Sequence, residues 1–359
     1  MTLDRRELLE RSLGAAALLA ACGPGRTGAR RGRFAAEPEW EPVRAEFDLD
    51  PDVIHMSALL LSSHPRPVRE AIARYRRELD RNPTRYLQEN NDRLQTEAIR
   101  AAAAFAGASS GSIALTDSTT MGLGLVYNGL RLAPGDEVLT TRHDYYATHE
   151  SLRLASMRTG AHVREIDLYD GSPAEATPEE IVARIAGAIT PATRAVALTW
   201  VHSGTGLKIP VADISAAVRR TGDALVCVDG DHGFGVESVA IADLGCDFFM
   251  AGAHKWMFGP RGTGIVWASE RGLRHVLPTI PSFMDDGTWQ AWIEAGRPAG
   301  PPDGRRLSPG GFKPFEHQWA MKDAFAFHEE IGRDRIEAGT RALASRLRRG
   351  SRGWSTSGS

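Results

Sequence analysis

The sequence predicts an α/β fold, with a mostly parallel central sheet and helices on both faces. Short apolar runs alternate along the chain with helical patterns, the order that a parallel sheet with crossover helices requires. Residues of chemical interest follow directly after several of those runs, where open α/β sheets gather their ligands. The composition agrees: 359 residues with 42% hydrophobic and 25% charged content are enough for about two domains with a real core.

The balance of Lys+Arg 43 against Asp+Glu 45 leaves a net charge of −2, so there is no basic footprint for nucleic acid, and a small molecule is the expected partner. Three cysteines, Cys22, Cys227 and Cys246, are too few and too scattered for a disulfide framework or a zinc site. Cys227 and Cys246 lie in apolar runs and are expected in the core.

Residues 1–22 read differently from the rest. Arg5-Arg6, a short apolar region from Leu13 to Ala21 and small residues ending at Cys22 have the layout of an export signal and are too short for a membrane span. DRRELL resembles a twin-arginine motif and LAAC a lipobox, which predicts export in the folded state and a lipid anchor on Cys22. The alternative is a frayed apolar helix on a cytoplasmic protein. Residues 23–46, rich in Gly, Pro and Arg without periodicity, read as a flexible tether, and folded structure is expected from Phe47.

The strand candidates are 112–116 (SIALT), 137–141 (EVLTT), 162–166 (HVREI), 194–201 (RAVALTWV), 224–229 (ALVCVD), 247–251 (DFFMA) and 264–268 (GIVWA). Helical patterns such as Pro178–Ala188 and Val211–Thr221 lie between them.

After SIALT come Asp117, Ser118, Thr119 and Thr120, opening a helical pattern. Hydroxyls and free N–H groups at a helix start suit a phosphate, although Ser and Thr there are more often plain N-caps. After ALVCVD come Gly230, Asp231 and His232; Asp229, ending a buried strand, calls for a positive partner. Lys255 follows the next strand, so its loop and that of Asp229 are expected to be neighbours. A lone lysine there would snorkel to solvent, whereas desolvation favours the neutral amine that forms a Schiff base with an aldehyde. An anion cradle, a buried acid and an amine, each just past a strand, match what pyridoxal phosphate needs.

From about Phe47 to about Glu337 the chain resembles the class V aminotransferase family of fold type I pyridoxal phosphate enzymes, nearest to the isopenicillin N epimerase-like branch. The resemblance is carried by VDGDHGFG (228–235), DFFMAGAHKWMFGPRGTGIVW (247–267), LTWVHSGTGLKIPV (198–211) and IHMSALLLSSHPRPVREAI (54–72). It implies that Lys255 bonds the cofactor aldehyde, Asp229 pairs with the pyridine nitrogen and His232 lies near the phenolic oxygen. It places Ser118, Thr119 and Thr120 at the phosphate-binding turn with His254 beside them, and Ser203 near the ring oxygen. The ring-stacking group is expected from RHDYYATHE, with His143 ahead of Tyr145. No metal is implied; a homodimer is.

The chain departs from the family pattern at Gly252, where a phosphate-binding hydroxyl is common, and at Asp231, where alanine is common and the extra charge alters the site's electrostatics. The segment GGFKPFEHQWA has no clear match to the glycine-threonine stretch with which a partner subunit completes the phosphate site. Residues 47–300 are expected to form the large domain with its N-terminal segment, and 301–359 the start of a truncated C-terminal region that leaves apolar surface exposed. The function expected is that of an enzyme acting on an amino acid or amine through Lys255, by transamination, epimerisation or racemisation, or C–S elimination. The alternative is a non-catalytic cofactor-binding lipoprotein remnant.

Overall fold

The computed structural model describes residues 40–296 and 303–351. Arg5-Arg6, Cys22 and the tether up to residue 39 lie outside the described residues. No helix among the described residues is long and apolar enough to cross a membrane.

Seven strands form one sheet: β1 (Ile113–Thr116), β2 (Glu137–Thr141), β3 (His162–Ile166), β4 (Thr193–Thr199), β5 (Leu225–Asp229), β6 (Phe248–Gly252) and β7 (Gly264–Ala268). Their order is β1-β7-β6-β5-β4-β2-β3. Pairs β2–β3, β2–β4, β4–β5 and β5–β6 are parallel, and β7 runs antiparallel to both of its neighbours. The parallel strands β4 and β5 are apolar almost throughout because helices cover both faces. The edge strand β3 reads HVREI and is partly exposed, as its polar residues require. The helices Pro178–Ala188 and Val211–Thr221 occupy the predicted spans.

Strand β5 sits between β4 and β6, so the loops carrying Asp229 and Lys255 are neighbours. Two glycines of VDGDHGFG allow the close packing beneath the first loop: a Cβ on Gly230 would lie 1.9 Å from Phe249 Cζ, and one on Gly233 would lie 2.2 Å from Trp200 Cε3. No larger residue fits at either position.

Two boundaries differ from the sequence expectation. Packed structure begins before Phe47: helix Glu41–Arg44 buries Val43 in a cluster with Phe327 and Ile331, and the buried Glu46 accepts bidentate bonds from Arg66 at 3.0 and 2.9 Å. Nor does a domain end at residue 300, since residues 303–351 belong to the same compact unit as the sheet. Helix Phe315–Ile331 carries Trp319, fully buried in a cluster with Ala71, Tyr75 and Leu94. Its apolar residues supply the cover that the helices Arg66–Arg81 and Pro83–Ala106 need on their inner faces.

Candidate active site at the carboxyl ends of β5 and β6

Lys255 lies in the turn that follows β6, and three separate parts of the chain hold that turn. Ser62 Oγ donates to the carbonyls of His254 at 2.9 Å and Lys255 at 2.7 Å, and the Ser62 N–H donates to the His254 carbonyl at 3.0 Å. From the other side, the His328 ring lies with Nε2 2.9 Å from the Trp256 carbonyl, so that nitrogen carries the proton. Burial pushes the His328 imidazole down to about 3, which keeps the ring neutral. Within the turn Phe258 takes φ 51, a left-handed conformation unusual for an aromatic residue. Its ring meets Phe47 edge-on at 5.0 Å and His328 at 5.6 Å, contacts that support the conformation.

The side chain of Lys255 is 15% exposed and ion-paired to Asp231. The acid that pairs with it is thus Asp231 and not Asp229. Lys255 Nζ lies 3.3 Å from His232 Nε2. The Trp256 indole N–H lies 3.3 Å from His232 Nδ1; a neutral ring that accepts from it carries its proton on Nε2, and one that accepts from Lys255 carries it on Nδ1. Burial, reinforced by the charge of Lys255 and opposed by Asp231, holds His232 below the usual histidine range.

Asp229 ends β5 in register with Thr199 on β4 and Met250 on β6. Its carboxylate accepts from the Asp231 N–H at 3.1 Å and pairs with no cation among the described residues. Burial, with the negative charge of Asp231 added, pushes the Asp229 carboxyl up to about 7. Asp231 goes the other way. Burial would raise it, but the Lys255 charge and the bonds from Lys255 and Thr119 outweigh burial and hold it below the usual carboxylate range.

The structure brings Thr119 into this cluster. Its hydroxyl donates to Asp231 Oδ1 at 2.5 Å and accepts from Gly252 N at 2.7 Å. Ser118 does what an N-cap does, accepting from Met121 N at 3.1 Å at the head of helix Thr119–Gly129, while Thr120 stands exposed in the first turn. His254 flanks Gly252, where a Cβ would meet its ring at 2.7 Å. Burial lowers the His254 imidazole, with Asp231 opposing and Lys255 reinforcing.

On the β4 side, Ser203 lies in an exposed turn. The His143 ring is stacked on Tyr169 at 4.3 Å and 18°, so one of its faces is taken, and it lies 6.0 Å from His202. His143 Nε2 is buried without a hydrogen-bond partner among the described residues, and the His202 ring is buried beside Thr199. Tyr145 is exposed, and its N–H donates to Thr199 Oγ1 at 3.4 Å, next to Asp229 in the sheet. Sequence reasoning noticed Asp231 but not its contacts, and missed Ser62, Trp256 and His328. Ser62 and Trp256 stand inside the quoted motifs, whereas His328 had no local signal.

Among the described residues no three His, Cys, Asp or Glu side chains are grouped to hold a metal ion. An amine beside a buried acid that lacks a cation, at the ends of adjacent parallel strands, is the pairing that pyridoxal phosphate calls for. Residues 61–350 match the Aminotransferase class-V family, and the chain belongs to it. It is 28% identical over 316 residues to isopenicillin N epimerase of Streptomyces clavuligerus, covering 88% of this chain and 78% of that one. Over 253 residues it is 28% identical to a probable cysteine desulfurase of Xylella fastidiosa, covering 67% of this chain and 59% of the relative. The fold superposes on the apo structure of cysteine desulfurase from Thermococcus onnurineus with TM-score 0.72 and 22% identity, over 87% of this chain and 76% of that chain. Pyridoxal phosphate is the cofactor of this family, and the donor set fits it.

Proposed function

We propose that this protein converts an amino acid or amine by moving the proton on its α-carbon, with Lys255 Nζ as the base. The observation that carries the reading is the meeting of Lys255, His232 and a buried, cation-free Asp229 at the ends of adjacent strands. Bound pyridoxal phosphate supplies an electron sink for the carbanion. Lys255 Nζ would hold the cofactor's aldehyde carbon, and a substrate amine that takes that bond over would release Nζ to act as the base. Asp229 would keep the ring nitrogen protonated, and His232 would face the phenolic oxygen. Thr119, Thr120 and His254 would receive the phosphate, and Ser203 would serve the ring oxygen. His143 would supply the stacking ring through the face that Tyr169 leaves open, with the exposed Tyr145 as the second candidate.

Racemisation or epimerisation at the α-carbon is the branch we favour, with transamination sharing its first step. Desulfuration through a cysteine carrier is disfavoured for the cysteines described: Cys227 and Cys246 are buried, and burial drives both thiols well above the ordinary thiol range. Exposed Ile54, Met56, Leu60, Phe283 and Phe312 suit a homodimer. The Arg5-Arg6 and Cys22 pattern suits export and a lipid anchor, with no other membrane contact. The deciding experiment incubates purified protein and its Lys255→Ala variant with a panel of amino acids in deuterated water. Wild-type exchange of an α-proton that the variant lacks is expected. Cofactor bound without exchange on any member of the panel would refute the enzyme reading and leave a cofactor-binding remnant.

A further inference from the structure

The site holds one carboxylate more than this chemistry uses. Asp231 is buried two residues beyond Asp229. Its Oδ2 pairs with the Lys255 amine, and its Oδ1 accepts from Thr119 Oγ1 at 2.5 Å and from Gly252 N at 3.2 Å. Thr119 stands at the turn assigned to the phosphate, and Gly252 at the position where a phosphate-binding hydroxyl is common. One side chain thus engages the amine and the Thr119 hydroxyl that the cofactor would use, and is braced by the Gly252 N–H. An ammonium paired with a carboxylate has no lone pair to offer an aldehyde. A carboxylate within a few ångströms of a phosphate dianion in a partly desolvated site repels it.

We infer that Asp231 is a resident counter-ion that closes the cofactor-free site, and that pyridoxal phosphate binds by displacing its carboxylate from Lys255, Thr119 and Gly252. The inference rests on the cofactor assignment above. The titratable groups that face Asp231 are Lys255, His232 and His254 from the positive side and Asp229 from the negative. Burial favours the neutral form of both histidines, so Lys255 is the cation that Asp231 meets. Asp231 also spares the apoprotein a half-buried ammonium without a partner.

The test titrates cofactor-free wild type, Asp231→Asn and Asp231→Ala with pyridoxal phosphate at pH 8, following both the absorption of the bound cofactor and tryptophan fluorescence. Asn keeps the volume and can still accept from Thr119 and Gly252. Both variants are expected to bind about tenfold more tightly, the equivalent of one pH unit of charge interaction. Pyridoxal, which has no phosphate, should gain several-fold less. The cofactor-free Asp231→Asn protein should also melt at a lower temperature than wild type, with the difference closing when cofactor is added. Variants that bind no more tightly than wild type overturn the proposal and leave the cofactor assignment standing. Equal gains for pyridoxal and its phosphate overturn the competition for Thr119. Absence of uptake in all three proteins overturns the proposal and the cofactor assignment together. If Asp231→Ala does not fold, the Asp231→Asn titration decides alone.

Discussion

Replacing Asp229 with Asn should make the cofactor-free protein more stable at pH 8 while crippling it as a catalyst. The Asp229 carboxyl stands at about 7 in the folded chain against an ordinary 3.8. A carboxyl raised on folding contributes stability that is fully present below the unfolded value, near 4, and is lost as pH rises through the folded value, near 7. The gap, at about 1.4 kcal/mol for each pH unit, amounts to a penalty of up to about 4 kcal/mol at pH 8. Asn cannot ionise, and its Oδ1 can still accept the Asp231 N–H, so the variant escapes the penalty without losing that bond. The assay is denaturant unfolding of cofactor-free wild type and Asp229→Asn at pH 5 and pH 8. Wild type should lose stability relative to the variant between the two, and pyridoxal phosphate should restore it by setting a protonated ring nitrogen against the carboxylate. An equal pH response in the two proteins would refute the idea that Asp229 is a buried acid awaiting a cation.

Lys255→Ala should fold, yet lose the yellow absorption band that wild type shows with pyridoxal phosphate; a colourless wild type in excess cofactor would sink the assignment. Trp256→Phe removes the indole N–H that fixes the His232 ring, a loss of about 1 kcal/mol or about fivefold in α-proton exchange, and it should also change the pH profile of exchange. An unchanged rate and profile would mean that Trp256 only packs. Export is tested by membrane fractionation of wild type and Cys22→Ala, and by changing Arg5 and Arg6 to Lys. Membrane association lost with Cys22, and export lost with the arginines, are expected; cytoplasmic wild type with Met1 intact would refute the signal.

Most of the sheet was legible because strands buried on both faces leave apolar runs, as in β7, while β2 and the partly exposed edge strand β3 also fall where predicted. The antiparallel course of β7 also had a signal that was not used: the stretch between Gly252 and Gly264 has no helical pattern, and a parallel neighbour needs a crossover. Lys255 and Asp229 could be placed because strand order makes their loops adjacent. The ion pair from Lys255 to Asp231 could not, since it depends on the direction of two side chains within a turn. The stacking of Tyr169 on one face of the His143 ring had no local signal, because Tyr169 lies beyond the next strand. Trp319 packs far back in sequence against Tyr75 at 5.6 Å, a contact that no local pattern in 301–359 announces.

The ties on the lysine turn bear on when the catalytic centre can exist. Ser62 and His328 stand near opposite ends of the described chain, and both bond carbonyls of the 254–256 segment. Contacts so distant in sequence close late, after the loop entropy between them has been lost. A chain still emerging during synthesis can build the strands β1 to β7 in order, but it cannot fix this turn until helix Phe315–Ile331 has been made and docked. The lysine turn therefore has its full set of bonds only once residues through His328 are in place.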